Sequence, residues 1–567
     1  MGSRRRTRGV GWWAVLGTLA LTIGIVSAPT AWPRPGDRVE TVYAAQNGVT
    51  ASVVRLRIPL PASAGPHPAS CDWLSYLRFR PSDGPASSGS ADRVLIAQPG
   101  IFEGAGAFDS VARNTVTAAA GRGHRIEFWA LDRRSNCLED HTGIAAGLRT
   151  GSLDAASNYY FGGTSVAGRR FAGFPTSGPA VDWLRHQGIA QTVRDEYDLL
   201  RHEIPDPRVR ARKVLCGGHS MGGFVTGYFA GWDFDGNPRT TGDAGYRQCA
   251  GYFALDTAVT SDFSFRGASL PDLPPPVGAV LEAATGKVDE TLPVLALPAV
   301  INPETMNLLS IVGLAAHLRP NGVDEIVRRL PDNPNVNATL RVLLSKDLGQ
   351  FVTGIPDVRS LHATNTAILG AILDDNSQPF GFLQASVGFI TGGPVAPKDF
   401  PVPNAVALSP LGAGSFGNAP KFSPTGFDPR VLYSWRDYDQ IDRSLWRYTT
   451  PRSEITSIHQ LAHDLSVPPL DFTEWYFPTA LPTSLAMASA PSTAAHLRYP
   501  GVANRAPMIT FVAEGGVQVT PPDNPRQRVV RLPGYNHIDV LTAAARQNNG
   551  RPEQVSTQLA DFAISGR

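Results

Sequence analysis

The chain has 567 residues, 42% of them hydrophobic and 18% charged, with a formal net charge of +2. That length can bury more than one core, or one large domain with an insertion. The near-neutral balance excludes the basic footprint of a nucleic-acid-binding protein. Four cysteines, Cys71, Cys137, Cys216 and Cys249, fit an oxidising compartment without making a disulfide scaffold, and the lack of CxxC spacing argues against a structural zinc site.

The chain opens on Arg4-Arg5-Arg6-Thr7-Arg8, followed by an uncharged apolar run from Val10 to Ala28. A basic segment, an apolar core and the small residues Ser27 and Ala28 read as a secretory signal peptide. The run is also close to bilayer-spanning length, so an uncleaved membrane anchor is the competing reading. Residues 1–45 are therefore set apart from the fold as leader or anchor plus linker.

Two alternating stretches follow, Val53–Leu60 and Trp73–Arg80, read as an opening antiparallel pair with the first at the edge. Arg93–Ala97 and Ile126–Leu131 have the continuous apolar character of buried strands, and a helix is expected between them from about Phe108 to Ala120. Ile189, Val193, Tyr197, Leu200 and Ile204 recur at helical spacing up to Pro205. Then comes Lys213-Val-Leu-Cys-Gly-Gly-His-Ser-Met-Gly-Gly223, an apolar strand, a glycine-flanked turn and a helix-compatible run. Gly218-His219-Ser220-Met221-Gly222 fits G-x-S-x-G, the turn that lifts a serine hydroxyl clear of a sheet and aims the first helical amides at it. Ala250–Leu255 is a further buried strand, ending at Asp256. Strands alternating with helices in this way predict a mostly parallel sheet flanked by helices.

From about 261 to 503 the pattern becomes proline-rich and mainly helical. Asn302-Pro303 opens one helix, while 364–373 and 380–390 are further candidates. Strand-like runs return at Pro507–Ala513, leading to Glu514, and at Gln527–Leu532, leading to Gly534-Tyr535-Asn536-His537. A terminal helix carries Val555, Leu559 and Phe562.

A serine elbow, a later acid after a strand, then a histidine after the last strand resembles the α/β-hydrolase superfamily, and within it the secreted esterases and lipases. The resemblance covers about 50–260 and 506–566. It implies an α/β-hydrolase core in two parts, 46–260 and 504–567, with a lid or cap at 261–503 between the family's sixth and seventh strands. It also implies roles. Ser220 is the nucleophile and His537 the general base. Glu514 is the acid, with Asp256 as the alternative. The oxyanion hole takes the amide of Met221 and one from Gln98–Phe102, favouring Ile101 with Phe102 as the alternative, although Gln98 stands where the family often has histidine. Asp539 reads as the acidic start of a helix.

In the resembled fold Cys71 and Cys137 fall at the same edge of the sheet and are expected to pair, whereas Cys216 and Cys249, offset on neighbouring parallel strands, are not. No cofactor or metal is expected. Asp233-Phe-Asp-Gly-Asn237 resembles the start of a calcium loop, but Ala244 stands at its twelfth position and the stretch reads as a turn. The expected function is an exported serine hydrolase acting on small-molecule or lipid-like esters, with possible membrane association through the N-terminal segment. Alternatives are an acyltransferase or amidase/peptidase on the same triad, or a non-catalytic surface binding protein.

Overall fold

The computed structural model describes residues 37–566 except 238, 264–291, 297–300, 324–325, 410–414, 446–453, 488 and 548–551. The leader or anchor reading and most of the proline-rich start of the 261–503 stretch lie outside the described residues. Among the described residues no helix is long and apolar enough to cross a membrane.

Nine strands form one sheet: β1 (Arg38–Gln46), β2 (Val49–Arg57), β3 (Trp73–Pro81), β4 (Arg93–Gln98), β5 (Ile126–Leu131), β6 (Val214–His219), β7 (Gly251–Leu255), β8 (Met508–Gly515) and β9 (Gln527–Asn536). Their order is β1-β2-β3-β5-β4-β6-β7-β8-β9. The first three strands and β5 pair antiparallel, and every pairing from β5 onward is parallel. The parallel strands β4 to β7 are buried on both faces, which is why their sequences are apolar without alternation. Two expectations change at the start of the sheet. Residues 38–46 are not linker but strand β1, and β2 is therefore covered on both sides rather than being the edge. The short turn at Asn47 and Gly48, both at positive φ, folds β1 back onto β2.

Four helices flank the sheet: α1 (Asp109–Ala120), α2 (Ile189–Glu203), α3 (Met221–Gly231) and, at the C-terminus, Gln554–Ser565. From β4 the chain crosses to β5 in one direction, and from β6 to β7 in the other. Right-handed crossovers then put α1 and α3 on opposite faces. Consistently, α1 packs on the C-terminal helix and α2 on α3. The direction reverses at the adjacent pair β4 and β6, and the carboxyl ends of strands at such a reversal are the place where open α/β sheets bind ligands.

The segment between β7 and β8 belongs to the same compact unit as the sheet. It contains helices Pro303–Leu318, Pro334–Leu344, Asn365–Leu373 and Ile458–Ser466 and two small strand pairs, Phe389–Thr391 with Ser434–Arg436 and Val395–Pro397 with Phe422–Pro424. Asn302 caps the first helix by accepting from the Thr305 N–H at 3.0 Å, with Pro303 at its first position as read from the sequence. The run 380–390 is not a helix. Gly381–Leu383 is a single 3₁₀ turn and Phe389 starts a strand. Its apolar residues divide between two cores: Phe380 joins Val342, Phe400 and Phe416, while Val387, Phe389 and Ile390 join the main core. The first of these cores lies wholly within the segment between β7 and β8, and the second is continuous with the core of the sheet.

Cys71 and Cys137 are disulfide-bonded with Cα atoms 5.1 Å apart. Cys216 and Cys249 are bonded too, with Cα atoms 5.8 Å apart, against expectation. The expectation extends β7 backward as a straight strand. Instead the chain enters β7 from a 3₁₀ turn at Gly245–Arg247, and the Ala250 N–H donates to the Val214 carbonyl at 2.7 Å. That bend carries Cys249 back beside β6. Non-reducing peptide mapping should recover both cross-links and no free thiol. Replacing Cys216 and Cys249 together by serine should lower stability in urea by about 2–4 kcal/mol; an unchanged midpoint would contradict the second bond.

Candidate active site

Ser220 stands between β6 and α3 with φ 53° and ψ −126°. A non-glycine residue rarely occupies this region, and holding it there costs roughly 1–3 kcal/mol. The surroundings fix it: the Ser220 N–H donates to the Leu255 carbonyl at 3.3 Å, and the Ser220 carbonyl accepts from the Thr257 hydroxyl at 2.5 Å and the Gly223 N–H at 3.1 Å. The turn closes only because Gly222 lacks a side chain, since a Cβ there would come within 2.1 Å of the Gln98 carbonyl oxygen. Met221 is the first residue of α3, so the amide end of that helix faces the serine position.

His537 follows the end of β9 and is buried. Its Nδ1 is 2.6 Å from Oδ2 of Asp256, which follows the end of β7 and is buried as well. Asp256 sits at φ 44°, its N–H donating to the Phe511 carbonyl at 2.9 Å, and its carboxylate accepts from the Ala513 and Val517 amides at 2.9 and 3.1 Å. The acid brought to His537 is therefore Asp256, and the reading of Glu514 in that place is corrected. Side chains alternate along β8. Ala513 faces inward, so Glu514 faces outward, where it is exposed and accepts from the Gly534 N–H at 2.8 Å. Of the two glycines after Glu514, Gly516 makes room for Asp256, since a Cβ there would fall 2.0 Å from its carboxylate, and Gly515 makes room for the Asn536 side chain.

A second acid–imidazole pair lies alongside, which the sequence reading did not find. His219, inside the elbow, is fully buried with its ring centroid 4.3 Å from that of His537. Its Nδ1 is 2.6 Å from a Glu103 carboxylate oxygen and its Nε2 is 3.0 Å from the His537 carbonyl oxygen. The other Glu103 oxygen accepts from the Gly100 N–H at 2.6 Å. Gly100 is also the point where the β4 loop approaches the serine: a Cβ placed on it would meet both the Glu103 carboxylate and Ser220 Cβ within 2.8 Å. Phe102, at φ 59°, turns its ring onto Phe477, and Ile101 packs against the core. Gln98 points away from the site and donates to Glu196 on α2 at 2.8 Å. The carbonyls of Pro99 and Gly100 are held by Arg133.

The two histidines are driven apart in proton affinity. Burial lowers the His219 pKa, but the Glu103 carboxylate outweighs it and holds the imidazole above its ordinary value. Burial also pulls Glu103 up, and the His219 charge brings it below the ordinary carboxylate value. For His537, burial and then the neighbouring His219 lower the pKa, and the Asp256 carboxylate offsets them only partly. The site thus biases His219 towards its cationic form and His537 towards its neutral form.

These placements, an elbow serine after β6, an acid after β7 and a histidine after β9 of a sheet in this order, decide the architecture. The chain has the α/β-hydrolase fold. Counted from β2, the long segment between β7 and β8 lies between the sixth and seventh strands. The sequence matches no protein-family model and no curated protein. Among solved structures it is similar to a proposed lipase from Sulfolobus solfataricus, at 11% identity over 94% of this chain and 100% of that one, with a TM-score of 0.40. It is also similar to a soluble variant of monoglyceride lipase from Saccharomyces cerevisiae (9% identity, 87% and 91% of the two chains, TM-score 0.26) and to the peroxisomal α/β-hydrolase Lpx1 from Saccharomyces cerevisiae (10%, 92% and 91%, TM-score 0.30).

The charge arrangement is testable without a substrate. In spectra of ¹⁵N-histidine-labelled protein, His537 should titrate below the ordinary 6.5 and His219 above it. Replacing His219 by asparagine removes the cation beside His537 and should move the His537 midpoint upward. A midpoint for His537 above that of His219 would contradict the assignment.

Proposed function

We propose that the protein is an exported serine hydrolase of carboxylic esters, working through Ser220, His537 and Asp256. The observation that carries the reading is the strained serine at the amide end of α3, set on the same sheet edge as a buried imidazole whose Nδ1 meets a carboxylate at 2.6 Å. His537 Nε2 takes the Ser220 proton as the hydroxyl oxygen attacks the ester carbonyl. Asp256 accepts the Nδ1–H, fixes the ring and its tautomer, and stabilises the imidazolium that forms. The Met221 amide and an amide of the Gly100–Phe102 turn receive the carbonyl oxygen as it becomes an oxyanion. The alcohol leaves with the proton from His537, and water, activated by the same imidazole, releases the acid from Ser220. No cofactor enters these steps.

Small-molecule or lipid-like esters are the substrate class, approached from the carboxyl ends of β4 and β6. Export rests on the basic and apolar N-terminal sequence and on all four cysteines being paired. Because His537 must be neutral to act, kcat/KM should rise with pH through an apparent pKa below 6.5 and be level by neutrality.

The test is hydrolysis of p-nitrophenyl esters of graded acyl length, together with labelling by an organophosphonate. Ser220→Ala should lose on the order of 10⁶-fold in turnover, as a serine protease does without its nucleophile. The phosphonate should form one covalent adduct, on Ser220, absent from the variant. Labelling at another residue, or ester hydrolysis that survives the substitution, would overturn the reading.

A further inference from the structure

Away from the serine, the loop after α3 gathers three carboxylates. Asp233 follows Trp232 at the end of that helix and is fully buried, yet neither of its carboxylate oxygens has a hydrogen-bond partner among the described residues. Oxygens of Asp235 and Asp243 lie within 4.8 Å of it and of each other. A buried carboxylate facing a half-buried and an exposed one is a costly arrangement, because the Asp233 charge is desolvated and repelled by the other two. Burial and then Asp235 accordingly push the Asp233 carboxyl above its ordinary value.

The remaining contacts hold the other two acids in position. Asp235 accepts from the Asn237 N–H at 2.7 Å and from the Thr240 hydroxyl at 2.5 Å. One oxygen of Asp243 accepts from the Asp235 N–H at 2.6 Å, leaving its other oxygen and both oxygens of Asp233 for a ligand. Gly236, at φ 70°, lets the chain reverse between Asp235 and Asn237. Alternate acidic positions around a glycine turn are how calcium loops begin. This loop differs from an EF-hand in closing with Asp243 one place short of the twelfth position, and in having no second helix. An all-oxygen, three-carboxylate set selects a hard divalent cation, and a site without fixed octahedral geometry suits calcium better than magnesium.

We propose that Asp233, Asp235 and Asp243 form a calcium site that fastens the end of α3 to the loop leading into β7. Asp233 also joins this loop to the segment returning from the insertion: its N–H donates to the His496 carbonyl at 2.7 Å, its carbonyl is 2.9 Å from His496 Nδ1, and His496 stacks on Trp232. The site is a structural clamp and is independent of the reaction read at Ser220.

The experiment uses the full chain, stripped with EGTA. Terbium should bind with Trp232-sensitised luminescence and be displaced by calcium but not by equal magnesium. In about 10 mM calcium, well above the ~10⁻⁴ M Kd common for extracellular calcium modules, the melting temperature should rise by roughly 2 °C over EGTA. Asp233→Asn should remove that rise. In EGTA it should melt at or above the wild type, because it deletes an unpaired buried charge. Asp243→Asn should weaken calcium binding at least tenfold, and it decides the matter should Asp233→Asn not fold. A wild type indifferent to calcium and stabilised only by acidification would mean a shared proton instead of an ion, and would overturn the proposal. So would a calcium response that survives both substitutions.

Discussion

The structure turns on a carboxylate and an imidazole buried together at one edge of the sheet. Removing Asp256 and His537 from water is expensive, and it is offset by the bond between them and by the amides that donate to the Asp256 carboxylate. The partners come from separate parts of the chain. The amides of Ala513 in β8 and Val517 just after it meet the Asp256 carboxylate, and His219 at the end of β6 meets the His537 backbone. Parallel strands are what make this possible, since their carboxyl ends bring together loops far apart in sequence.

The long insertion takes part in the same construction. The loop carrying His537 is pinned by Asp539, a buried residue whose carboxylate accepts from the Asn536 N–H at 2.7 Å, the Ser386 N–H at 3.0 Å and the Thr456 hydroxyl at 2.7 Å. Ser386 and Thr456 both belong to the insertion. The Ile538 N–H donates to the Gln384 carbonyl, and the Asn536 side chain donates to Asp375. Burial pushes the Asp539 carboxyl up to about 7, against the pull of the hydrogen bonds from Asn536, Thr456 and Ser386. Asp539 is thus a positioning residue for His537 and more than the acidic start of a helix.

Much of this was legible in the sequence, because it rests on local patterns. Buried parallel strands write themselves as apolar runs, the Asn302-Pro303 cap marks a helix start, and the glycines around Ser220 mark a turn no other residue permits. What was not legible depends on phase or on distant chain. Glu514 and Asp256 both follow strands, and only the inward or outward phase of the side chain at the strand's end separates them. Cys249 reaches Cys216 through a 3₁₀ turn that strand reasoning straightens. The apolar run at 380–390 has the composition of a helix, but Gly381 and Gly388, the latter at φ 126°, break it, and tertiary packing distributes its aromatics over two cores. Glu103 and His219 carry no motif of their own, and their pairing appears only once β4 and β6 lie side by side.

The central claim is that Asp256, not Glu514, orients His537. The most direct measurement is steady-state ester hydrolysis by Asp256→Asn and Glu514→Gln, with folding of each checked by thermal unfolding. The account predicts that Asp256→Asn loses about 10⁴-fold in kcat, as a serine protease does when the equivalent carboxylate is neutralised, while Glu514→Gln stays within a few-fold of wild type. The reverse order of effects in two folded variants would contradict it.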